Sequence, residues 1–165
     1  MAQARCEAFF TKMGIADTVT GRFDLLALHM FLLSHRLSSE TEAEARDLSQ
    51  AVFDHFTADV DRALREIGIG DTSVPKRKKK LIAGFYGQIA DFDESLSRAS
   101  SKDLTERVKA RFHDGRDEAG AAMLANYMIE AARLLGRQTY GAIASGRIEW
   151  PEVEDTFKSV PSGNV

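Results

Sequence analysis

Residues 51–87 read AVFDHFTADVDRALREIGIGDTSVPKRKKKLIAGFYG. Apolar residues recur at three- and four-residue spacing on both sides of the Gly68-Ile69-Gly70-Asp71 turn, the period of a helix face turned toward a core. Leu48, Val52, Phe56, Val60, Leu64 and Ile67 make one stripe, on a helix expected over residues 41–67. Val74, Leu81, Ile82, Phe85, Ile89, Phe92 and Leu96 make the second, with Lys78 on the same line. Gly68 and Gly70 suit a helix C-terminus, because glycine enters the left-handed region without a Cβ penalty. Thr72 or Ser73 can cap the next helix, and Pro75 falls in its first turn, where a missing N–H costs nothing. The stretch is a helix hairpin, and an all-α fold follows from it.

The same periodicity continues outward. A first helix is expected over residues 2–13, stopped by Gly14. A second, capped by Asp17 or Thr20, runs to about Leu37 and is apolar around most of its circumference. Such a helix is central, or it has a second apolar face that needs a partner. A short helix follows Ser100-Ser101 and reaches about His113; Asp114-Gly115 breaks the chain, and a last long helix spans residues 118–145. Ala121, Ala122, Ala125 and Ala132 give that helix a small-residue inner face. The expectation is a single-domain bundle of about six helices over residues 1–145 with a central hairpin. Residues 146–165 read as a polar, loosely held tail from which Trp150 can dock on the body.

The chain has 165 residues, 44% apolar and 28% charged, with a net charge of −3, which is the balance of one globular domain. A surface built throughout for nucleic acid is more often basic, so DNA is not an expected partner. Cys6 is the only cysteine, which excludes an internal disulfide and a cysteine-based zinc site. The opening MAQARCEAFF has no long apolar core, and no apolar run reaches the roughly 18 residues that a bilayer span requires. The expected location is the cytoplasm, extending to the inner face of the cytoplasmic membrane.

Candidate chemistry is thin. Gly68-Ile69-Gly70-Asp71 lacks a third glycine and follows a helix where a dinucleotide site needs a strand. His29, His35, His55 and His113 show no i,i+4 pairing, so no metal ligand set is expected. Asp59 and Asp61 lie two apart on a helix and diverge by about 200°. No nucleophile–base arrangement is present in local sequence. Neither a catalytic residue nor a cofactor is expected, and the chain does not read as an enzyme.

The basic run Lys76-Arg77-Lys78-Lys79-Lys80 stands out because of its place. A helix N-terminus carries partial positive charge, and cations there cost a few tenths to about 1 kcal/mol each. Like charges three and four apart add to that cost. Asp59, Glu66 and Asp71 could neutralise the run, but surface pairs return only about 0–1 kcal/mol each. A feature that lowers stability points to a partner: an anionic membrane, ribosomal RNA or an acidic protein surface. Arg22, Arg62 and Arg65 are further basic candidates, and Phe53 and Tyr86, off their stripes, are candidates for an apolar partner surface.

A family likeness is carried by ordered blocks. Ala4-Arg5, Phe9-Phe10, Gly14-Ile15-Ala16-Asp17-Thr18, Gly21-Arg22-Phe23-Asp24, Leu28-His29 and Arg36-Leu37 resemble the opening of the ubiquinol–cytochrome c chaperone family. The block from Phe53-Asp54 through Asp59, Asp61-Arg62 and Leu64-Arg65-Glu66-Ile67-Gly68-Ile69-Gly70-Asp71 is similar to that family's centre. It continues through Val74-Pro75-Lys76 and Lys79-Lys80 to Ala83-Gly84-Phe85-Tyr86-Gly87. Asn126-Tyr127 resembles its C-terminal Asn-aromatic pair.

The resemblance implies a non-enzymatic, all-α assembly factor for the cytochrome bc1 complex. Members bind newly made cytochrome b, and mitochondrial ones act near the ribosomal tunnel exit with a small partner protein. The expected client here is cytochrome b, beside an anionic membrane surface, with the ribosome as a further candidate partner. The second helix, with Phe53 and Tyr86, is expected to supply client contact; the basic residues are expected to steer. The rival is a lipid- or quinone-binding protein whose second helix lines a tunnel.

Overall fold

In the computed structural model the structure describes residues 2–41, 43–66, 68–98, 100–154 and 156. A 3₁₀ turn at Gln3–Arg5 is followed by α1 (Ala8–Thr11), α2 (Val19–Ser38), α3 (Ala43–Glu66), α4 (Val74–Ser97), α5 (Ser101–Phe112), α6 (Glu118–Arg137) and α7 (Tyr140–Ala144). No strand occurs among the described residues. The fold is the expected all-α bundle, with α3 and α4 as its hairpin. Ile67, placed on the α3 stripe, lies outside the described residues.

Three element boundaries depart from the periodicity. The single helix expected over residues 2–13 is split, because Cys6 is extended at ψ 128° between the 3₁₀ turn and α1. The cap of α2 is neither Asp17 nor Thr20 but Thr18, whose Oγ1 accepts from the Gly21 N–H at 3.1 Å. The long helix expected to Ser145 ends at Arg137, since Gln138 and Thr139 are extended and Thr139 Oγ1 caps a separate α7. Apolar periodicity runs through this break because both helices bury a face, α6 in the main core and α7 through Ile143 in a smaller cluster. Ser73 does hold the N-cap position of α4, but its side chain makes no capping bond.

The core gathers around α2. Leu25, Leu28, Phe31 and Leu32 are fully buried, packed with Phe9, Phe92, Leu104, Leu124, Met128 and Leu135 from four other helices. Burial of each large side chain is worth roughly 1.5–3 kcal/mol, so α2 is the chief source of cohesion. Leu33 and Leu37 close a smaller cluster with Ile143 against Leu48 and Val52, while Phe56, Val60, Leu64 and Val74 join the hairpin arms. Most of the apolar excess of α2 is therefore consumed inside the domain, with Val19 at its first turn left 66% exposed. The expectation that this helix offers an apolar face to a client is corrected: it is the central helix.

A polar thread fixes both chain ends to this core. His29, 6% exposed, donates from Nδ1 to the Leu25 carbonyl at 2.7 Å, and its bare Nε2 accepts from the Tyr127 hydroxyl at 2.8 Å. Gln3 Nε2 donates to the same hydroxyl at 3.2 Å and to the Pro151 carbonyl at 2.9 Å. The Trp150 ring meets His29 edge-on at 4.9 Å, and Val153 is 2% exposed. The stretch after Gly146 is thus held more firmly than its composition predicts, at least through Val153. Gln138 adds a two-bond amide clamp, donating to the Glu149 carbonyl and accepting from the Glu149 N–H. Arg36 ties the ends of α2 and α6 together, donating to the carbonyls of Leu135 and Gln138 and pairing with Glu40 at 2.5 Å.

Candidate functional site

The α3–α4 hairpin sorts its charges unevenly. Asp61 accepts from Arg65 Nε at 2.8 Å, which holds its carboxyl below the usual range, and Arg65 also pairs with Asp71 across the turn. Lys78, the cation on the buried line, stays half-buried and reaches Asp61 at 3.9 Å. Asp59 pairs with Arg62 at 3.3 Å and with His55 at 3.6 Å. The acids expected to neutralise the basic run are therefore engaged elsewhere: Asp59 and Asp71 with arginines of α3, while exposed Glu66 forms no ion pair among the described residues. Lys76, Arg77, Lys79 and Lys80 are exposed and have no carboxylate within ion-pair distance among the described residues. Arg62 and Arg65 are pinned as internal counter-ions. Arg22 belongs to a different place, gripping Asp17 with two hydrogen bonds at 2.6 and 3.1 Å and lying over the Phe10 ring.

Two turns along α4 from Lys79, a surface groove of about 320 Å³ opens between α2, α3 and α4. Its apolar wall is Phe53, Phe85, Tyr86 and Ile89; Ser34, Ser38, Ser49, Gln50 and Arg46 supply its polar edge. Tyr86 is 56% exposed, an unusual state for a large side chain. Its ring rests against Phe53 at 5.8 Å and Phe85 at 5.7 Å, and Phe53 in turn meets Phe56 and Phe85. Phe53 is half-buried, so the groove has a preformed aromatic floor with one exposed ring at its lip. Ala83 and Ala90 are also exposed on the Tyr86 face of α4 and leave that face low.

Beneath α4 lies a feature that sequence reasoning missed. Arg111 of α5 donates from Nη2 to Asp24 Oδ1 of α2 and to the Gly84 carbonyl of α4, each at 3.2 Å. The guanidinium fits because positions 84 and 87 are glycines; a Cβ at Gly84 would stand 3.2 Å from Arg111 Nη2, and one at Gly87 3.7 Å from Nη1. Gln88, 0% exposed, donates weakly to the Asp24 carbonyl at 3.3 Å. Burial pushes the Asp24 carboxyl above its ordinary pKa, and Arg111 only partly opposes this. The pair is thus a positioning device that sets α4, and with it the groove, against α2 and α5, rather than a large source of stability. Two glycines inside a helix, each costing about 1 kcal/mol relative to alanine, were the available sequence signal.

Arg111→Met is expected to destabilise the fold by about 2 kcal/mol at pH 7, because Asp24 is left without its cation. Its carboxyl pKa would rise further, so the loss should shrink as pH falls toward the unfolded carboxylate value of about 4, below which Asp24 is neutral in both states. Urea melts of Arg111→Met at pH 7 and pH 5 measure this, and Asp24→Asn in the same background should restore part of the loss. A deficit independent of pH would remove Asp24 from the explanation.

The model of the ubiquinol–cytochrome c chaperone family matches residues 11–150. The chain belongs to that family. The structure is similar to the crystal structure of the Cbp3 homolog from Brucella abortus, with a TM-score of 0.82 and 32% identity over 93% of this chain and 84% of that one. No curated protein sequence matches. The match spans α2 to α7, so hairpin, groove and Arg111 node all lie within the family's domain. Membership implies a non-enzymatic role in assembly of ubiquinol–cytochrome c reductase, the bc1 complex. No helix among the described residues is long and apolar enough to cross a membrane.

Proposed function

We propose that this bc1 assembly chaperone holds newly made cytochrome b at the membrane surface, using the α2–α3–α4 groove as its client contact. The observation that carries the reading is Tyr86, an exposed ring backed by the half-buried Phe53 at the lip of an open groove. A chaperone needs an apolar surface that forms without the client and does not cost the free protein its solubility. One exposed ring on a rigid aromatic floor, edged by serines and Gln50, meets both demands. The family assignment supports bc1 assembly; cytochrome b as the bound subunit is our own extension of it.

A tagged protein drawn from membranes should enrich cytochrome b over other membrane proteins, and Tyr86→Ser should lower that recovery about tenfold, the effect of losing one aromatic anchor. Because Tyr86 is exposed, the variant should unfold within about 0.5 kcal/mol of the parent. Equal recovery of unrelated membrane proteins, or undiminished recovery with Tyr86→Ser, would defeat the proposal. The lipid- or quinone-tunnel reading gains no support, since the α2 face that would line a tunnel is filled by Phe31, Leu32 and their packing partners.

A further inference from the structure

We infer that the tip of the α3–α4 hairpin is a docking surface for an anionic lipid bilayer. Residues 59–80 hold seven bases and four acids, net +3, on a chain whose whole charge is −3. The structure separates that excess cleanly. Asp59, Asp61 and Asp71 are taken by Arg62, Arg65 and Lys78, leaving Lys76, Arg77, Lys79 and Lys80 exposed on the first turns of α4 against a single exposed acid outside these pairs, Glu66 at the end of α3. These four sit against the helix dipole and against one another, so the free protein carries a cost that an external anion relieves. All four are exposed and, at about 100° per residue, they spread over about 160° of the helix, which suits a broad charged plane. Clusters of this size are drawn to acidic headgroups, at about fivefold in affinity per cation.

Single-stranded RNA is the other polyanion, and the make-up of the tip disfavours it. Such sites add aromatic platforms on which bases stack. No aromatic residue occurs between Phe56 and Phe85, and the exposed ring, Tyr86, lies two turns from Lys79, about 10 Å along the axis. Docked by its tip with α4 upright, the hairpin holds the groove about that far above the headgroup plane. What the groove then receives is the end of an apolar helix just outside the hydrocarbon. This last step rests on the client reading above; the lipid contact does not.

Co-sedimentation with phosphatidylglycerol/phosphatidylcholine vesicles tests the inference at physiological salt. The protein should bind these vesicles, release them as salt rises, and ignore pure phosphatidylcholine. K76Q/R77Q/K79Q/K80Q should bind at least a hundredfold more weakly, with a melting temperature equal to or above the parent's. K12Q/K102Q/R137Q/R147Q removes equal charge from exposed sites elsewhere and should keep the binding. Equal losses in the two variants, undiminished binding by the tip variant, equal binding to uncharged vesicles, or tighter capture of single-stranded RNA would each overturn it. The tip variant should still crosslink to cytochrome b in detergent, so failure of the lipid contact and failure of the client reading are separate results.

Discussion

Gly21→Ala should lower stability by about 3 kcal/mol or more, enough to move the melting temperature by roughly 6–12 °C in a chain of this size. Gly21 lies in the first turn of α2, where a Cβ would stand 2.1 Å from the Ala16 carbonyl oxygen. No rotamer change relieves that contact, because the obstacle is backbone. The Ala16 carbonyl is itself bound by the Thr18 N–H at 2.8 Å, in the turn that places the Thr18 cap. The chain can yield only by moving the loop from Met13 to Thr18. That loop is blocked on its far side as well, where a Cβ on Gly120 would stand 2.5 Å from the Met13 carbonyl. Gly120→Ala should therefore act in the same direction. Gly136→Ala is the control: it lies exposed in α6 with nothing near its would-be Cβ, and should raise stability by up to about 1 kcal/mol. Thermal melts of the three variants suffice, and a Gly21→Ala protein as stable as Gly136→Ala would refute the packing argument.

The second large effect is acid lability without catalytic cause. His29 is neutral in the folded protein, its pKa lowered to about 4 by burial, with the hydrogen bond to Leu25 opposing the shift only in part. An unfolded histidine takes up its proton near pH 6.5, so in the window between the two values the unfolded state binds more protons. Stability from this group is complete above pH 6.5, falls as pH drops, and is fully lost below about 4. The two values set a loss of roughly 3 kcal/mol. His113, also lowered by burial, acts in the same direction. Asp61 and Asp103, whose carboxyls are held low by hydrogen bonds from Arg65 and Ser95, lose their contribution at lower pH. Asp24, held high by burial, works against the histidines by recovering stability as pH falls toward about 4, and the His29 loss is the larger of the two. Denaturant midpoints from pH 7 to 4.5 should fall steadily, and the His29 imidazole resonance should stay unprotonated down to pH 5. Titration of His29 near 6.5 would contradict the assignment. Protonation would also oblige Nε2 to donate toward the Tyr127 hydroxyl, disturbing the bond network through Gln3 to Pro151.

The hairpin illustrates how far periodicity reaches. The stripes Phe56–Val60–Leu64 and Val74–Phe85–Phe92 are buried as read, because a helix face repeats every three to four residues wherever its partner lies. Tyr86 is exposed for the same reason: it is off the stripe, and no other element covers it. Phe53 is off its stripe as well but half-buried, since its ring packs on Phe85 at 5.4 Å and lines the groove. The boundaries that failed were those set by single hydrogen bonds. Thr18, rather than Asp17 or Thr20, caps α2, and Thr139 starts α7. Neighbouring residues with equivalent oxygens cannot be told apart until the turn is built.

The amino-acid order by itself determined the all-α class, the hairpin, the family and the misplacement of the basic run, all of which rest on local spacing and on blocks of residues. Tertiary structure decided the charge pairings that cross the turn. Asp59–Arg62 and Asp61–Arg65 lie three and four residues apart within α3 and follow from local spacing, whereas Arg65–Asp71 and Lys78–Asp61 depend on how two helices meet at a turn. It also decided that α2 spends most of its apolar surface on the core, and that Arg111 reaches from α5 to Asp24 over glycines 84 and 87. Those are contacts between residues tens of positions apart, and their energies depend on distances that only the packed bundle sets.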